Sequence, residues 1–236
     1  MTVAMGSGEA RDTARVHPAG SWAEGDLVDR WIAGDSLASV LELPRRIAAA
    51  LVHETGFEVR RVVDVGAGTG AFLRVLLEEF AGAEGVWVDA SEAMLERAKT
   101  SLADLGRRVT FAIGDLREPE ALPLAGDVVV SARAIHHFRP EAIERFYRAA
   151  ADALSPGGFL VNVDHFATPG DWGPRYRAIR PSFVGGNAGG GDSHSHDAPP
   201  QPLDDHLHWL REAGFEDPDV PWRFFWTALV VARTAR

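Results

Sequence analysis

The segment Val62-Val63-Asp64-Val65-Gly66-Ala67-Gly68-Thr69-Gly70 constrains this chain more than any other. A run of β-branched residues, the pattern of a buried strand, ends in a glycine turn that opens a helix. Glycines allow positive φ in the turn and let a ligand approach the backbone closely. In folds built from such units, ligands bind beyond the carboxyl ends of the strands, where strand order reverses.

The rest of the chain supplies more units of the same kind. Strands are expected at Arg61–Val65, Gly85–Asp89, Val109–Ile113, Asp127–Val130 and Phe159–Asp164, with helices at Ala71–Phe80, Ser91–Leu105 and Pro140–Leu154. In the last helix Ile143, Phe146, Tyr147, Ala150 and Leu154 share one face, and Ser155-Pro156-Gly157-Gly158 stops it. Strand–helix alternation at this spacing specifies an α/β fold: a doubly wound, mostly parallel sheet with helices on both faces. Residues 21–55 read as helical in at least two pieces, broken near Gly34 and Pro44. Residues 166–201 lose the pattern, holding Gly185–Gly191, the run HSHD and several prolines, and read as a long lid-like insertion. A helix over 202–213 and strands near Asp219–Trp222 and Phe224–Ala232 close the chain. The expected division is a tail and helical cap over 1–56 and a ligand-binding domain over 57–236, interrupted at 166–201.

Composition narrows the partners. The 236 residues carry 24 Lys+Arg against 34 Asp+Glu, a formal charge of −10, and the basic pairs are scattered. Nucleic acid is therefore not the expected partner, because phosphate binding needs a concentrated basic face. Zero cysteines exclude a disulfide framework, a thiol nucleophile and a cysteine zinc site. No apolar run approaches the roughly 20 residues of a membrane span, and residues 1–15 lack an apolar signal core. No membrane partner is expected, and a cytoplasmic location is.

The glycine turn alone leaves the ligand open. Gly66-x-Gly68-x-x-Ala71 also satisfies the dinucleotide fingerprint, and Asp89 follows Gly70 by 89 − 70 = 19 residues, where a ribose-binding acid belongs for either ligand. Two further carboxylates separate the readings. Asp64, in the strand before the turn, could meet an ammonium directly or through water. Asp115, ending the third strand, could accept from an adenine amino group. A nicotinamide cofactor needs neither, whereas a ligand carrying ribose, adenine, ammonium and sulfonium uses all three. The bland reading of Asp89 and Asp115 is local capping, with Asp89 preceding Ser91-Glu92 and Asp115 starting a turn.

The set VVDVGAGTG, VWVDASEAML, AIGDL, DVVVSARAIHHF and LSPGGFLVNVDH resembles the class I S-adenosylmethionine-dependent methyltransferases in order and spacing over Val62–His165. The resemblance implies a Rossmann-like seven-stranded sheet of order 3-2-1-4-5-7-6 with the last strand antiparallel. It implies S-adenosyl-L-methionine as cofactor, with S-adenosyl-L-homocysteine as product, and methyl transfer to O, N or C of a small molecule. Carried over position by position, Gly66, Ala67, Gly68 and Gly70 would line the methionine part and Asp89 would hold the ribose hydroxyls. Ala90 and Met94 would pack on the adenine face, and Asp115 and Leu116 would meet its edge. Ser131 and Ala132 would present backbone to the amino group. A cofactor-binding protein using the sulfonium for another reaction, or a transferase acting on RNA or protein, is the alternative.

The catalytic candidates are His136, His137 and His165, at carboxyl ends of strands, with His136 the first choice for a base. Trp22, Trp31, Trp172 and Tyr176, together with Phe183, could wall an aromatic acceptor, and Arg175 could clamp a carboxylate. The pairs His194/His196 and His206/His208 invite a metal reading beside Asp192 or Asp197. Loop histidines are usually solvated, and helix residues two apart point in different directions, so no metal is expected.

Overall fold

The computed structural model describes residues 25–26, 28–29, 38–184 and 196–236. Trp22, Trp31, the expected break near Gly34, the glycine run and His194 lie outside the described residues. The elements are α1 (Ala38–Glu54), β1 (Arg61–Val65), α2 (Ala71–Glu79), β2 (Glu84–Asp89), α3 (Glu92–Ser101), β3 (Val109–Ile113), β4 (Gly126–Ala132), α4 (Pro140–Ala153) and β5 (Leu154–His165). There follow α5 (Trp172–Ile179), α6 (Pro181–Val184), α7 (Leu203–Glu212), β6 (Glu216–Phe224) and β7 (Thr227–Arg233).

The sheet has seven strands in the order β3-β2-β1-β4-β5-β7-β6, and β7 runs antiparallel to both neighbours. This is the expected order. Strand order reverses between β2 and β4 on either side of β1, which places the turn after β1 at the crevice. Alternate side chains of the central strands feed two cores. Val62, Trp87, Val128, Val130 and Val161 join α1, α2 and α3 on one face. Val63, Val86, Val88, Val129 and Leu160 join α4 and α7 on the other. A strand buried on both faces has no polar side to show, which is why these segments read as unbroken apolar runs.

Several expected boundaries move. Helix α1 runs through Pro44 without a break. Proline in a helix interior removes one hydrogen bond, costing roughly 3 kcal/mol. Burial of Leu41, Ala48, Ala49 and Val52 in the first core offsets it. Helix α3 ends at Ser101, and a 3-10 turn continues to Arg108. Strand β5 begins at Leu154, not Phe159: Leu154 pairs with Gly126 and Phe159 with Val128, so Ser155–Gly158 bulge out within the strand. Two short helices, α5 and α6, occupy part of what reads in sequence as structureless insertion. Proline at 174 lies in the first turn of α5 and Pro181 starts α6, positions where proline costs little.

Helices α4 and α7 pack through a buried polar contact. Tyr147 Oη lies 2.7 Å from His206 Nδ1, and both residues are almost fully buried. Burial pushes His206 down to about 4, so the ring is neutral in the folded protein. Tyr147→Phe removes the partner of a buried nitrogen and should lower unfolding free energy by about 1–3 kcal/mol in a urea titration. The unfolded histidine takes up a proton near pH 6.5 and the folded one does not, so stability falls as pH drops from about 6.5 to about 4. A His206→Gln variant should lose that part of the pH dependence.

Candidate functional site

Gly66, Gly68 and Gly70 all have positive φ, at 65°, 53° and 81°. A side chain at Gly66 would collide with Cβ of Ala134, so the turn after β1 sits directly against the turn after β4. A side chain at Gly70 would strike Leu102 instead, so that glycine serves packing of α2. Gly68 opens on ordinary van der Waals space, and its amide donates to Asp89 Oδ2 at 2.8 Å. Its carbonyl accepts from Trp87 Nε1 at 2.9 Å. The turn is thus held rigidly by β2.

Asp64 is fully buried. Its Oδ2 accepts from Leu73 N at 3.1 Å, in the first turn of α2. Its Oδ1 has no hydrogen-bond partner among the described residues. Burial raises this carboxyl to about 7, with the Leu73 amide pulling the other way. A buried acid with one oxygen unmatched is uncommon in folded proteins and marks this position as a candidate ligand contact.

Asp89 ends β2. Its Oδ1 accepts from Ser91 N at 2.9 Å and its Oδ2 from Gly68 N. Burial pushes its pKa up, opposed by the backbone amides of Gly68, Ser91 and Ala90. Capping of α3 falls to Ser91, whose side chain accepts from Met94 N. Asp89 is therefore left to orient the turn. Asp115 behaves otherwise: Oδ1 accepts from Arg117 N at 2.9 Å and Oδ2 from Arg117 Nη1 at 3.0 Å, a local turn with an ion pair. Met94 and Leu116 are buried, while Ala67, Ala90 and Ala132 remain half-buried. Ser131 spends its hydroxyl on Val65 O at 2.8 Å, joining β4 to β1. The carboxyl ends of β1 to β4 thus gather all the expected cofactor residues at one edge.

The three catalytic candidates also come together. His136 is buried, with Nδ1 2.5 Å from Asp164 Oδ1 and its amide donating to Asp164 Oδ2 at 3.1 Å. His165 donates its amide to the same carboxylate at 2.8 Å and sets Nδ1 2.9 Å from Thr227 Oγ1. Burial works to raise Asp164, yet the charge and hydrogen bond of His136, with His165, hold it well below the usual carboxylate range. Burial pulls His165 down to about 3, with further repulsion from His136, Arg133 and Arg180. Ring centroids lie 4.1 Å apart for His136–His137 and 4.9 Å for His136–His165. His196 joins them at 4.4 Å from His137. Arg133, just past β4, holds φ at 53°, an uncommon conformation for a residue other than glycine.

The expected acceptor wall is partly found. Trp172 is half exposed and stacks on Tyr176 at 5.8 Å, and Tyr176 lies 5.3 Å from Phe225 in the β6–β7 turn. Phe183 meets Phe225 edge-on at 5.9 Å, and Arg180 sits over Trp226. Arg175 pairs with Asp171 and lies over Trp172. His206 is buried and His208 exposed, so that pair does not converge.

Sequence reasoning passed over Asp164, Thr227 and Phe225, and read His196 only as the partner of His194. Asp164 had a signal, a charge at an inward position of an apolar strand. The other three are joined to the site only by the fold.

A family model described as "Methyltransferase domain" matches residues 62–158. The chain is 37% identical over 112 residues to "3-amino-4-hydroxybenzoate 4-O-methyltransferase" of Streptomyces cremeus, covering 47% of this chain and 30% of that protein. It is 34% identical over 142 residues to "Carboxy-S-adenosyl-L-methionine synthase" of Wolinella succinogenes, covering 58% and 55%. An O-methyltransferase family protein from Burkholderia thailandensis superposes with TM-score 0.68 at 17% identity, over 93% of this chain and 63% of that one. That likeness shows the fold. The chain spans less than two thirds of the length of each of these relatives. Among the described residues no helix is long and apolar enough to cross a membrane.

Asp64 generates a prediction independent of any ligand. Its pKa is higher folded than unfolded, so folding becomes less favourable as pH rises from about 4 to about 7. Asp64→Asn should lose that contribution, leaving the opposite dependence of His206 over the same window. Above pH 7 the variant should exceed the wild type in unfolding free energy by up to roughly 4 kcal/mol, read by urea titration.

Proposed function

We propose that this protein, whose residues 62–158 match a methyltransferase-domain model, is a class I S-adenosylmethionine-dependent methyltransferase that methylates a hydroxyl of a small aromatic molecule. The observation that carries the cofactor reading is the half-satisfied, fully buried Asp64 beside a glycine turn braced by Asp89. S-adenosyl-L-methionine, when bound, supplies a methyl group already activated on a sulfonium. Asp64 meets its ammonium, Asp89 its ribose hydroxyls, and the backbone of Gly66–Gly68 and Ser131–Ala132 its methionine part. Ala90, Met94 and Leu116 flank the adenine, and Asp115 offers its remaining lone pairs to the base edge. Gly70 supports this arrangement through α2.

On the acceptor side the chain must hold a nucleophile in line and keep water out. Trp172, Tyr176, Phe183 and the Phe225–Trp226 turn form an aromatic wall that reaches His165, because Phe166 N donates to Trp226 O. The Streptomyces relative's name, an O-methyltransferase of a hydroxybenzoate, supports an aromatic acceptor. His136, oriented by Asp164, accepts the hydroxyl proton as oxygen attacks, the carboxylate stabilising the imidazolium. His137 and His165 position the acceptor. A net charge of −10 argues against RNA as substrate.

Calorimetry with S-adenosyl-L-homocysteine should show one site, lost or weakened at least about tenfold in Asp89→Ala. Ammonium binding needs Asp64 ionised, so affinity should fall about tenfold per pH unit below about 7 and level off above it. Asp64→Asn should abolish that slope. Turnover of a hydroxybenzoate, measured with cofactor affinity, should fall about 10²–10⁴-fold in His136→Gln with product-cofactor binding retained. Mass spectrometry of the product distinguishes methylation from the sulfonium remodelling named for the Wolinella relative.

A further inference from the structure

His136, His137 and His196 each present a ring nitrogen to a common space, the ligand atoms all lying within 4.8 Å of one another. We propose that these three imidazoles bind a first-row divalent transition-metal ion at the carboxyl edge of β4. A tetrahedral zinc with nitrogens at about 2.0–2.1 Å needs them about 3.4 Å apart, so the His137 and His196 rings would close on the ion when it binds. The donor set selects the ion. Imidazole suits zinc, cobalt, nickel and iron(II), whereas magnesium and calcium take oxygen ligands.

Two independent features make this a built site. The first is the support of His136. Its Nδ1 is bonded to the buried Asp164 carboxylate, which fixes the ring and leaves Nε2 as the atom to offer. Metal-binding histidines almost always hand their second nitrogen to a carboxylate, carbonyl or water in this way. The second is the anchoring of His196, which arrives from the far side of the insertion. Its neighbour Asp197 donates its amide to His137 O at 2.8 Å and pairs its carboxylate with Arg117 at 2.9 Å. Arg117 is itself held by Asp115. The residue after His196 is therefore tied both to the backbone of another ligand and to the turn after β3. Three protein ligands leave coordination positions for a water or a substrate atom.

No local spacing announces this set, because His196 is 196 − 137 = 59 residues from His137. The site stands apart from the cofactor reading. Loaded with metal, His136 would be a ligand through Nε2 and not the proton acceptor, so the two uses of this ring are alternatives.

The test uses the full chain without a histidine tag, stripped with chelator and titrated with Zn²⁺ against a chromophoric competitor, then with Co²⁺. One ion per chain should bind, and Co²⁺ should give visible absorption bands of a nitrogen-liganded centre. His137→Ala and His196→Ala should each weaken binding at least tenfold, and Asp164→Asn about 10–100-fold. His208→Ala, on an exposed position of α7, should bind as the wild type does. Circular dichroism confirms that each variant is folded, and His196→Ala, outside helix and strand, keeps the test open if Asp164→Asn is not. Absence of stoichiometric binding by the wild type, or unchanged affinity in His196→Ala, overturns the proposal. Product-cofactor titration of the stripped protein is read separately, so failure of either reading is seen without the other.

Discussion

The contact on which the site depends is between two turns. Gly66, at the end of β1, has no room for a side chain because Ala134, two residues past β4, occupies that space. β1 and β4 are parallel neighbours in register, Val62 with Val128 through Asp64 with Val130. Their connections leave to opposite faces, which opens the crevice between the turns. The glycine and the alanine let the two turns meet at its floor. On one side stand Asp64 and Asp89; on the other, two residues after Ala134, stands His136. The two halves of the proposed chemistry thus meet where these turns touch, on strands already paired in register.

Beneath β5 the second core is not wholly apolar. Along that strand Leu160 enters the core, and at the next two inward positions stand Asn162 and Asp164, both fully buried. Tyr147 and His206 lie on the helices that cover them. Burying so many polar groups costs stability unless each is matched. Asp164 is matched three times, by two backbone amides and an imidazole. The same carboxylate that orders the strand end also orders His136. Asp64 is the opposite case, a buried carboxylate with one oxygen matched and the other without a hydrogen-bond partner among the described residues.

The strand order, the two-sided cores and the glycine turn at the crevice were legible because they come from local pattern. Buried parallel strands leave apolar runs, and a glycine turn after such a run has few alternatives. Legibility failed where tertiary packing overrides local rule. Pro44 lies within a continuous helix because the apolar face of α1 has a sheet to cover. Leu154 starts a strand because β4 offers it a partner at Gly126, ahead of a bulge that hides the register. Asp115 was read for a base edge, and the fold also gives it Arg117. Trp172 and Tyr176 were legible as aromatic residues in a loop, but their partner Phe225 is set by a hairpin some fifty residues downstream.

The link from Asp115 through Arg117 and Asp197 to His196 has a structural consequence. It joins the turn after β3, where an adenine edge is proposed to lie, to the returning end of the insertion. Arg117 is exposed enough that each ion pair alone contributes little, of order 1 kcal/mol or less. Their value is positional. The amide of Asp197 on His137 O sets the height of the segment, and the guanidinium sets its lateral position. The segment beginning at His196 is thus held at two points, by groups that follow two different strands, β3 and β4.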